Sequence, residues 1–195
     1  MPRIRYIEDH EKTEEAERLI QSAERTGAPD PRVVSIMTRH PTAGTGWVKY
    51  WNSLLYEGLL PHTLKEQCRI YISMEHECGY CSTVRSKVAQ EQGLTEEKVL
   101  ALPDFETSPL FDDRERAALR YAKLFKQGEH AIDKDEVYDE LKKTFTEEEI
   151  IELGQMCAQT DGVGKLVKSL NVMSWGEACE INPGLVREKG AVAAE

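Results

Sequence analysis

The thiols of Cys78 and Cys81 are the groups in this sequence best suited to chemistry, because they stand three residues apart in the run Cys-Gly-Tyr-Cys. Cysteines at this spacing can form a disulfide between neighbouring turns of the chain. If Cys78 begins a helix, the free N–H groups and the dipole at that end favour its thiolate. On one continuous helix, Arg85 would lie a turn beyond Cys81 on the same face and would lower a thiol pKa. The spacing therefore predicts a redox-active dithiol with Arg85 beside it.

Two other interpretations of the cysteine pair are a zinc half-site and a purely structural helix. A zinc site needs further ligands, but the sequence has no second Cys-x2-Cys pair and no His-x3-His. The other cysteines stand alone at Cys68, Cys157 and Cys179. The first two fall in apolar helical stripes, where a small buried hydrophobe is the expected role. We therefore expect no metal and no bound cofactor.

Two histidines are candidates for moving protons near the thiols. His76 precedes Cys78 by two residues, and His62 precedes Glu66 by four. Either imidazole could reach the thiols in three dimensions, and a surface position is the alternative for both. The sequence predicts His62 and His76 as possible members of a proton relay.

The elements that must position these residues are helices. Apolar residues recur at helical spacing almost throughout, and helix starts are predicted at Thr13, Asp30, Asp112 and Thr146. The segment LKEQCRIYISM alternates in part, but its strong helix formers favour a helix over a strand. We expect an all-α fold of about eight helices in a single domain. One helix should run from the cysteines through Val84 to a stop at Gly93.

Composition excludes several classes of protein. The chain has 195 residues with 35 acids and 25 bases, and its net charge of −10 argues against a nucleic-acid surface. No apolar run approaches the ~20 residues of a membrane helix. The first residues turn acidic at once and lack an apolar signal-peptide core, so a cytoplasmic location is expected.

Several motifs in chain order resemble the alkyl hydroperoxidase D (AhpD) and carboxymuconolactone decarboxylase family. They are His40-Pro41, Leu60-Pro61, Glu66, Cys78-Gly79-Tyr80-Cys81, Gly93-Leu94-Thr95, Ser108-Pro109, ERAALRYAKL and FTEEEIIELGQMCAQTDGVGKLVKSLNV. The resemblance covers about residues 30–175. It implies an AhpD-like helical fold that assembles as trimers or hexamers. Residues 1–29 are then an N-terminal helical extension and residues 176–195 a C-terminal tail, and either could be an arm between subunits.

In the redox-active branch, the family pattern is Glu-x11-Cys-x2-Cys-x3-His. The resemblance implies that Cys81 is the peroxidatic nucleophile, that Cys78 resolves it as a disulfide, and that Glu66 belongs to a proton relay. The family histidine would fall at position 85, where this chain has Arg85. Arginine stays charged and relays no proton, but it can stabilise a thiolate and pair with Glu66. His62, His76 or water must replace the missing histidine, or the chemistry differs.

Three functions fit these residues. The first is a thiol-dependent hydroperoxide reductase that an external dithiol reduces again. The second is a lyase or isomerase of the decarboxylase branch, with Arg85 and Lys65 holding a small carboxylate substrate. The third is a non-enzymatic helical scaffold whose dithiol senses oxidation. Independently of the function, the apolar helical faces predict a homo-oligomer, and the composition predicts no nucleic-acid or membrane partner.

Overall fold

The computed structural model describes residues 2–182, which form eleven α-helices and no strand. The helices are α1 (Glu14–Thr26), α2 (Pro31–Met37), α3 (Ala43–Tyr56), α4 (His62–Glu75), α5 (Gly79–Thr83), α6 (Lys87–Glu91), α7 (Glu96–Leu100), α8 (Asp113–Leu124), α9 (Asp135–Lys142), α10 (Glu147–Leu170) and α11 (Trp175–Ile181). Three short 3₁₀ segments lie at Asp9–Glu11, Leu102–Asp104 and Glu129–Ala131. Eight α-helices have 7 residues or more and three have 5, so the all-α prediction is confirmed.

The predicted helix starts are confirmed by their hydrogen bonds. The Thr13 side chain accepts from the third residue of α1, and Asp30 accepts from the Arg32 N–H. Asp112 and Thr146 each form a reciprocal capping box with the glutamate three residues on. These caps satisfy N–H groups that a helix leaves without partners. The segment LKEQCRIYISM, for which the sequence favours a helix over a strand, is helical and forms most of α4.

The single helix predicted after the cysteines is wrong. Helix α5 ends at Thr83, Val84 is extended at φ −67° and ψ 133°, and Ser86 caps a separate helix α6. The cause lies on α4, where Arg69 donates to the carbonyls of Cys81 and Val84 at 2.8 and 2.7 Å. In a continuous helix those carbonyls would accept from the N–H groups four residues further on. The arginine takes their place, so the chain is free to turn.

Helix α4 is the centre of the fold. It packs against α10 and α8, and 11 of its 14 residues are buried. Cys68 on α4 and Cys157 on α10 are 0% exposed, which confirms the expectation for these two thiols. Burial and a hydrogen bond with Cys68 that favours the protonated thiol raise the pKa of Cys157. Because α4 also carries buried charged residues, each of them needs a partner inside the protein.

Both ends of the described chain pack onto the core. Helix α1 contacts α2, α3 and α6, and α11 contacts α5. The first residues of the predicted tail, 176–182, therefore form most of α11 and its C-terminal cap. Residues 183–195 lie outside the described part of the chain. Among residues 2–182, no helix is both long and apolar enough to cross a membrane.

The contact between α5 and the segment before α11 leaves no room for a side chain at Gly79. A Cβ there would overlap the backbone carbonyl of Ser174, whereas a Cβ at Gly162 on the outside of α10 would meet nothing within 4 Å. We expect Gly79→Ala to lower the free energy of unfolding by about 2 kcal/mol, since backbone atoms must move. Gly162→Ala is the control and should raise it by about 0.5–1 kcal/mol. Urea unfolding followed by circular dichroism measures both, and equal effects would contradict the packing at Gly79.

Candidate active site

The two predicted cysteines form a disulfide at the start of α5. Their Cα atoms are 5.3 Å apart, and Cys78 is the N-cap whose Sγ accepts the Cys81 N–H at 3.2 Å. Cys78 is 1% exposed, and Cys81 is 8% exposed and lines a cavity. A small molecule in the cavity therefore meets Cys81, while Cys78 lies behind it.

The cavity over Cys81 is small and mostly apolar. Its walls are Ala28, Pro29, Val33, Trp47, Trp51, Arg69, Ser73, Tyr80, Cys81, Val84, Gln159, Thr160, Val163, Gly164 and Val167. Trp47 and Trp51 stack with ring centres 5.6 Å apart, and the Trp47 indole donates to Gln159 at 3.2 Å. Its volume is about 60 Å³, and an engineered apolar cavity that binds benzene measures about 150 Å³. The cavity as it stands suits a molecule smaller than an aromatic ring.

Glu66 is a buried carboxylate held by Arg69, one turn further along α4. Arg69 Nε donates to Oε1 at 2.6 Å and Nη2 to Oε2 at 2.9 Å, while the Ser86 N–H donates to Oε2 at 3.3 Å. Burial raises the pKa of Glu66, but the charge and hydrogen bonds of Arg69 outweigh burial and leave the pKa below its usual value. Glu66 is therefore an anion with both oxygens in use, and it is poorly placed to pass a proton.

Arg69 connects this ion pair to the dithiol. Besides Glu66, its guanidinium donates to the Cys81 and Val84 carbonyls. These four bonds use four of the five N–H groups of an arginine side chain. The remaining N–H is on Nη1 and has no partner among residues 2–182. Arg69 is also one of the residues that line the cavity beside Cys81.

Arg85 does not pair with Glu66, and that part of the sequence prediction is wrong. Its guanidinium makes two bonds of 2.9 Å to Glu96 and also donates to the Ser82 carbonyl. The reason is the end of α5 at Thr83, which removes Arg85 from the face that carries Cys81. Arg85 does not line the cavity. The buried cation near the nucleophile is Arg69 instead.

His62 is held as a neutral imidazole at the start of α4. Its Nδ1 lies 2.9 Å from the Leu55 carbonyl, which can only accept, so Nδ1 carries the hydrogen. Nε2 then accepts from the Ser86 hydroxyl at 2.7 Å. Burial lowers the pKa of His62, although the Leu55 carbonyl and Glu66 oppose this effect. His62 and Glu66 thus meet at the same serine but contact different atoms of it.

His76 lies on the other side of the cavity wall. Its Nε2 is 2.9 Å from Asp161 on α10, and its buried Nδ1 has no hydrogen-bond partner among residues 2–182. Gly164 lines the cavity, and a Cβ there would lie 3.0 Å from Nδ1 of His76. Neither His62 nor His76 lines the cavity itself, so their roles as a proton relay stay predictions.

Sequence reasoning missed Arg69, although a signal was present. Glu66 and Arg69 are three apart and stand immediately before the apolar run Ile70-Tyr71-Ile72. Opposite charges at this spacing on a helix face one another, and in an apolar segment they indicate a buried ion pair. No comparable signal identifies Trp47 or Gln159 as cavity residues, because they lie far from the cysteines in the sequence.

Comparisons with known proteins agree with this arrangement. Residues 41–124 match the carboxymuconolactone decarboxylase family. No curated protein matches the sequence significantly. Together with the structures below, the family match confirms the resemblance that the motifs indicated.

Three solved structures share the fold. A cysteine-to-alanine variant of the debrominase Bmp8 in complex with 2,3,4-tribromopyrrole has a TM-score of 0.77 at 19% identity, covering 95% of this chain and 98% of that one. An AhpD-core, peroxidase-related protein of Ralstonia eutropha JMP134 has a TM-score of 0.70 at 16% identity, covering 96% and 98%. A protein of unknown function from Agrobacterium tumefaciens, linked to AhpD antioxidant defence, has a TM-score of 0.61 at 18% identity, covering 70% and 93%. At these identities the matches establish an AhpD-like fold.

The ion pair between Glu66 and Arg69 yields a stability prediction. Arg69→Gln leaves a buried carboxylate without its partner and should lower the free energy of unfolding by about 3 kcal/mol or more. Adding Glu66→Gln removes the orphaned charge and should restore part of the loss. The control is Arg120→Gln, which breaks an exposed pair with Glu106 and should cost less than about 1 kcal/mol. Urea unfolding measures all of them, and a double variant as unstable as the summed single variants would refute the pairing.

The neutral state of His62 predicts a pH effect on stability. Its pKa in the folded protein lies below the ordinary 6.5, so the unfolded chain binds the proton more tightly. Stability should fall as the pH drops below about 6.5, and the fall should be shallower in His62→Gln. The exposed His10→Gln is the control and should follow the wild-type curve. Thermal unfolding midpoints between pH 8 and pH 5 test this, and an unchanged slope in His62→Gln would exclude His62 as the group responsible.

Proposed function

We propose that this AhpD-like member of the carboxymuconolactone decarboxylase family is a thiol-dependent reductase that reduces a small hydroperoxide with Cys78 and Cys81. The observation that carries the proposal is the position of Cys81 in the wall of a small apolar cavity, with Cys78 directly behind it. A nucleophile that meets the substrate and a second thiol within disulfide distance are the two parts such a reaction needs.

The reaction begins from the reduced pair. The Cys81 thiolate attacks the terminal oxygen of the hydroperoxide, the O–O bond breaks, and its electron pair leaves on the other oxygen. That oxygen takes up a proton and departs as an alcohol, while Cys81 is oxidised to a sulfenic acid. The Cys78 thiolate then attacks the Cys81 sulfur, the sulfenic oxygen leaves as water after taking a proton, and the disulfide forms.

Arg69 is the residue we assign to the leaving oxygen. Arg69 lines the cavity, and its Nη1 donates to the Cys81 carbonyl at 2.8 Å and has a second N–H left for a substrate oxygen. A hydrogen bond from a cation stabilises the charge that develops on the departing oxygen. Glu66 acts through Arg69 by fixing its orientation, so Glu66 is a positioning residue. The proton that Cys81 gives up returns to the leaving oxygen through water or through one of the predicted histidines.

Regeneration requires an external dithiol, because the disulfide must accept two electrons. The donor thiolate attacks the Cys81 sulfur from the cavity, and Cys78 is the leaving group. The Cys81 N–H already donates to Cys78 Sγ at 3.2 Å, which stabilises negative charge there. A better-stabilised thiolate leaves faster, so this order of attack is favoured over attack on the buried Cys78.

Reductive dehalogenation is a second candidate with the same dithiol. The carbon–halogen bond is replaced by a carbon–hydrogen bond, halide leaves, and the two thiols become the disulfide. The similarity to a debrominase over 95% of the chain and the aromatic wall of Trp47 and Trp51 favour it. The volume of about 60 Å³ opposes it, because a brominated ring needs more room.

The lyase alternative receives no support from the positions of its two cations. Arg85 pairs with Glu96, and Lys65 donates to Glu152 at 2.8 Å and to the Leu54 carbonyl at 2.9 Å. Neither cation lines the cavity, so neither is available to hold a substrate carboxylate there. A sensing scaffold shares the dithiol with our proposal and differs from it only in lacking turnover.

Assembly and location are part of the same proposal. Leu59 and Ile151 are each 67% exposed, and the Leu59 N–H donates to Glu152, the residue that follows Ile151. Exposed apolar residues that lie together favour burial between subunits. We propose a homo-oligomer, a trimer or a hexamer, that works in the cytoplasm with a small-molecule substrate.

Stopped-flow mixing of the reduced protein with hydrogen peroxide or tert-butyl hydroperoxide tests the reaction. We expect loss of two thiols per chain within seconds, and Cys81→Ser should abolish it. Cys78→Ser should stop at a sulfenic acid on Cys81 that a dimedone reagent traps. Cys179→Ser is the matched control and should react like the wild type. Thiols that survive for minutes in excess peroxide would refute the proposal, and halide release from a bromopyrrole by such a protein would favour the second candidate.

A further inference from the structure

One wall of the cavity comes from a segment that precedes the family match. We define the N-terminal strap as residues 27–33, between α1 and the first turns of α2. Ala28, Pro29 and Val33 of the strap line the cavity together with Cys81. The family match begins only at residue 41. The strap therefore narrows the space over the nucleophile without belonging to the matched part of the chain.

The strap is fastened to the dithiol loop by one tyrosine. Tyr80, between the two cysteines, donates from its hydroxyl to Asp30 Oδ1 at 2.6 Å, and the Asp30 N–H donates back to that hydroxyl at 3.2 Å. Tyr80 is 5% exposed. Burial and the neighbouring carboxylate of Asp30 raise the pKa of Tyr80, so the phenol keeps its hydrogen and remains a donor. We call this pair of bonds the Tyr80–Asp30 latch.

Arg32 completes the latch. It donates to Asp30 Oδ2 from Nε at 2.8 Å and from Nη2 at 2.6 Å, and its guanidinium lies 5.1 Å above the centre of the Tyr80 ring. The carboxylate is thus shared between a cation and a phenol. A further hydrogen bond joins the strap to the core, from the Tyr56 hydroxyl to the Ala28 carbonyl.

We infer that the N-terminal strap sets the upper size of molecules that reach Cys81, and that Asp30 and Tyr80 are its specificity-determining residues. The inference rests on the proposed function to the extent that Cys81 is the reacting thiol. With the latch closed, the cavity of about 60 Å³ admits small molecules only. Among residues 2–182, release of the latch leaves the strap held to the core by the Tyr56–Ala28 hydrogen bond alone, so the wall can move away from Cys81 and larger molecules then reach the sulfur.

Alkylation of Cys81 measures access without requiring turnover. In a Cys78→Ser background Cys81 stays reduced, and its rate of modification is followed by mass spectrometry with small iodoacetamide and with bulky monobromobimane. Tyr80→Phe removes only the hydroxyl, and Asp30→Asn keeps an N-cap for α2. We expect either change to raise the bimane rate about tenfold, because a strong hydrogen bond to a charged group is lost. The iodoacetamide rate should stay within about twofold, since the thiol itself is unaltered.

Tyr50→Phe is the matched control. It removes the hydroxyl of a tyrosine that donates to Gln155 on the surface and should leave both rates unchanged. A rise of both rates by the same factor in Tyr80→Phe would overturn the inference, because general loosening or a changed thiol would explain it. Unchanged bimane rates in both latch variants would overturn it as well. Thermal unfolding of each variant confirms that the rates come from folded protein.

Failure of the proposed function is distinguishable from failure of this inference. If the wild type consumes no hydroperoxide but the bimane rate rises in the latch variants, the strap controls access to a thiol with another role. If the wild type reduces hydroperoxide but the ratio of the two alkylation rates does not move, the function stands and the strap does not set the size limit. With both correct, Tyr80→Phe should also raise the rate with cumene hydroperoxide relative to hydrogen peroxide about tenfold.

Discussion

The buried ion pair between Glu66 and Arg69 is the interaction on which the site depends. Both charges are withdrawn from water at the centre of α4, so each is tolerable only because the other compensates it. The guanidinium has a planar fork of donors, and it satisfies the carboxylate on one side and two carbonyls of the dithiol segment on the other. A lysine would offer one point charge and could not span these partners. One side chain therefore joins the cysteine loop to the buried charge at the centre of the core.

The same side chain explains what could and could not be predicted from the sequence. Helix starts at Thr13, Asp30, Asp112 and Thr146 depend on residues within one turn, and the sequence predicts them correctly. The break after Thr83 depends on hydrogen bonds from a residue more than ten positions earlier, which no local pattern reveals. The predicted place of Arg85 followed from a continuous helix, and it failed together with that helix.

The candidate site shows the same division between local and distant information. Spacing pointed to Cys78 and Cys81, and the family resemblance added Glu66, because all three follow a motif within adjoining segments. The cavity beside Cys81 is assembled from the strap, α3, α4, α5 and α10, so its residues are far apart in the sequence. The ion pairs also join distant parts of the chain. His76 contacts Asp161 on α10, and Lys65 contacts Glu152 on the same helix. Residue types can suggest such pairs, but only the packing of helices decides them.

The burial of α4 also has a consequence for how this protein can diverge. A single substitution at position 66 or 69 leaves the other residue as an unpaired charge in the core. Substitution of Arg69 also removes the hydrogen-bond donor of two carbonyls in the dithiol segment. Two simultaneous changes could keep the core neutral, but the chain after Cys81 would then be free to continue as a helix and redirect Arg85. We therefore expect positions 66 and 69 to change together in related sequences. The residue types at these two positions should distinguish relatives that keep this dithiol loop from relatives in which the loop has another conformation.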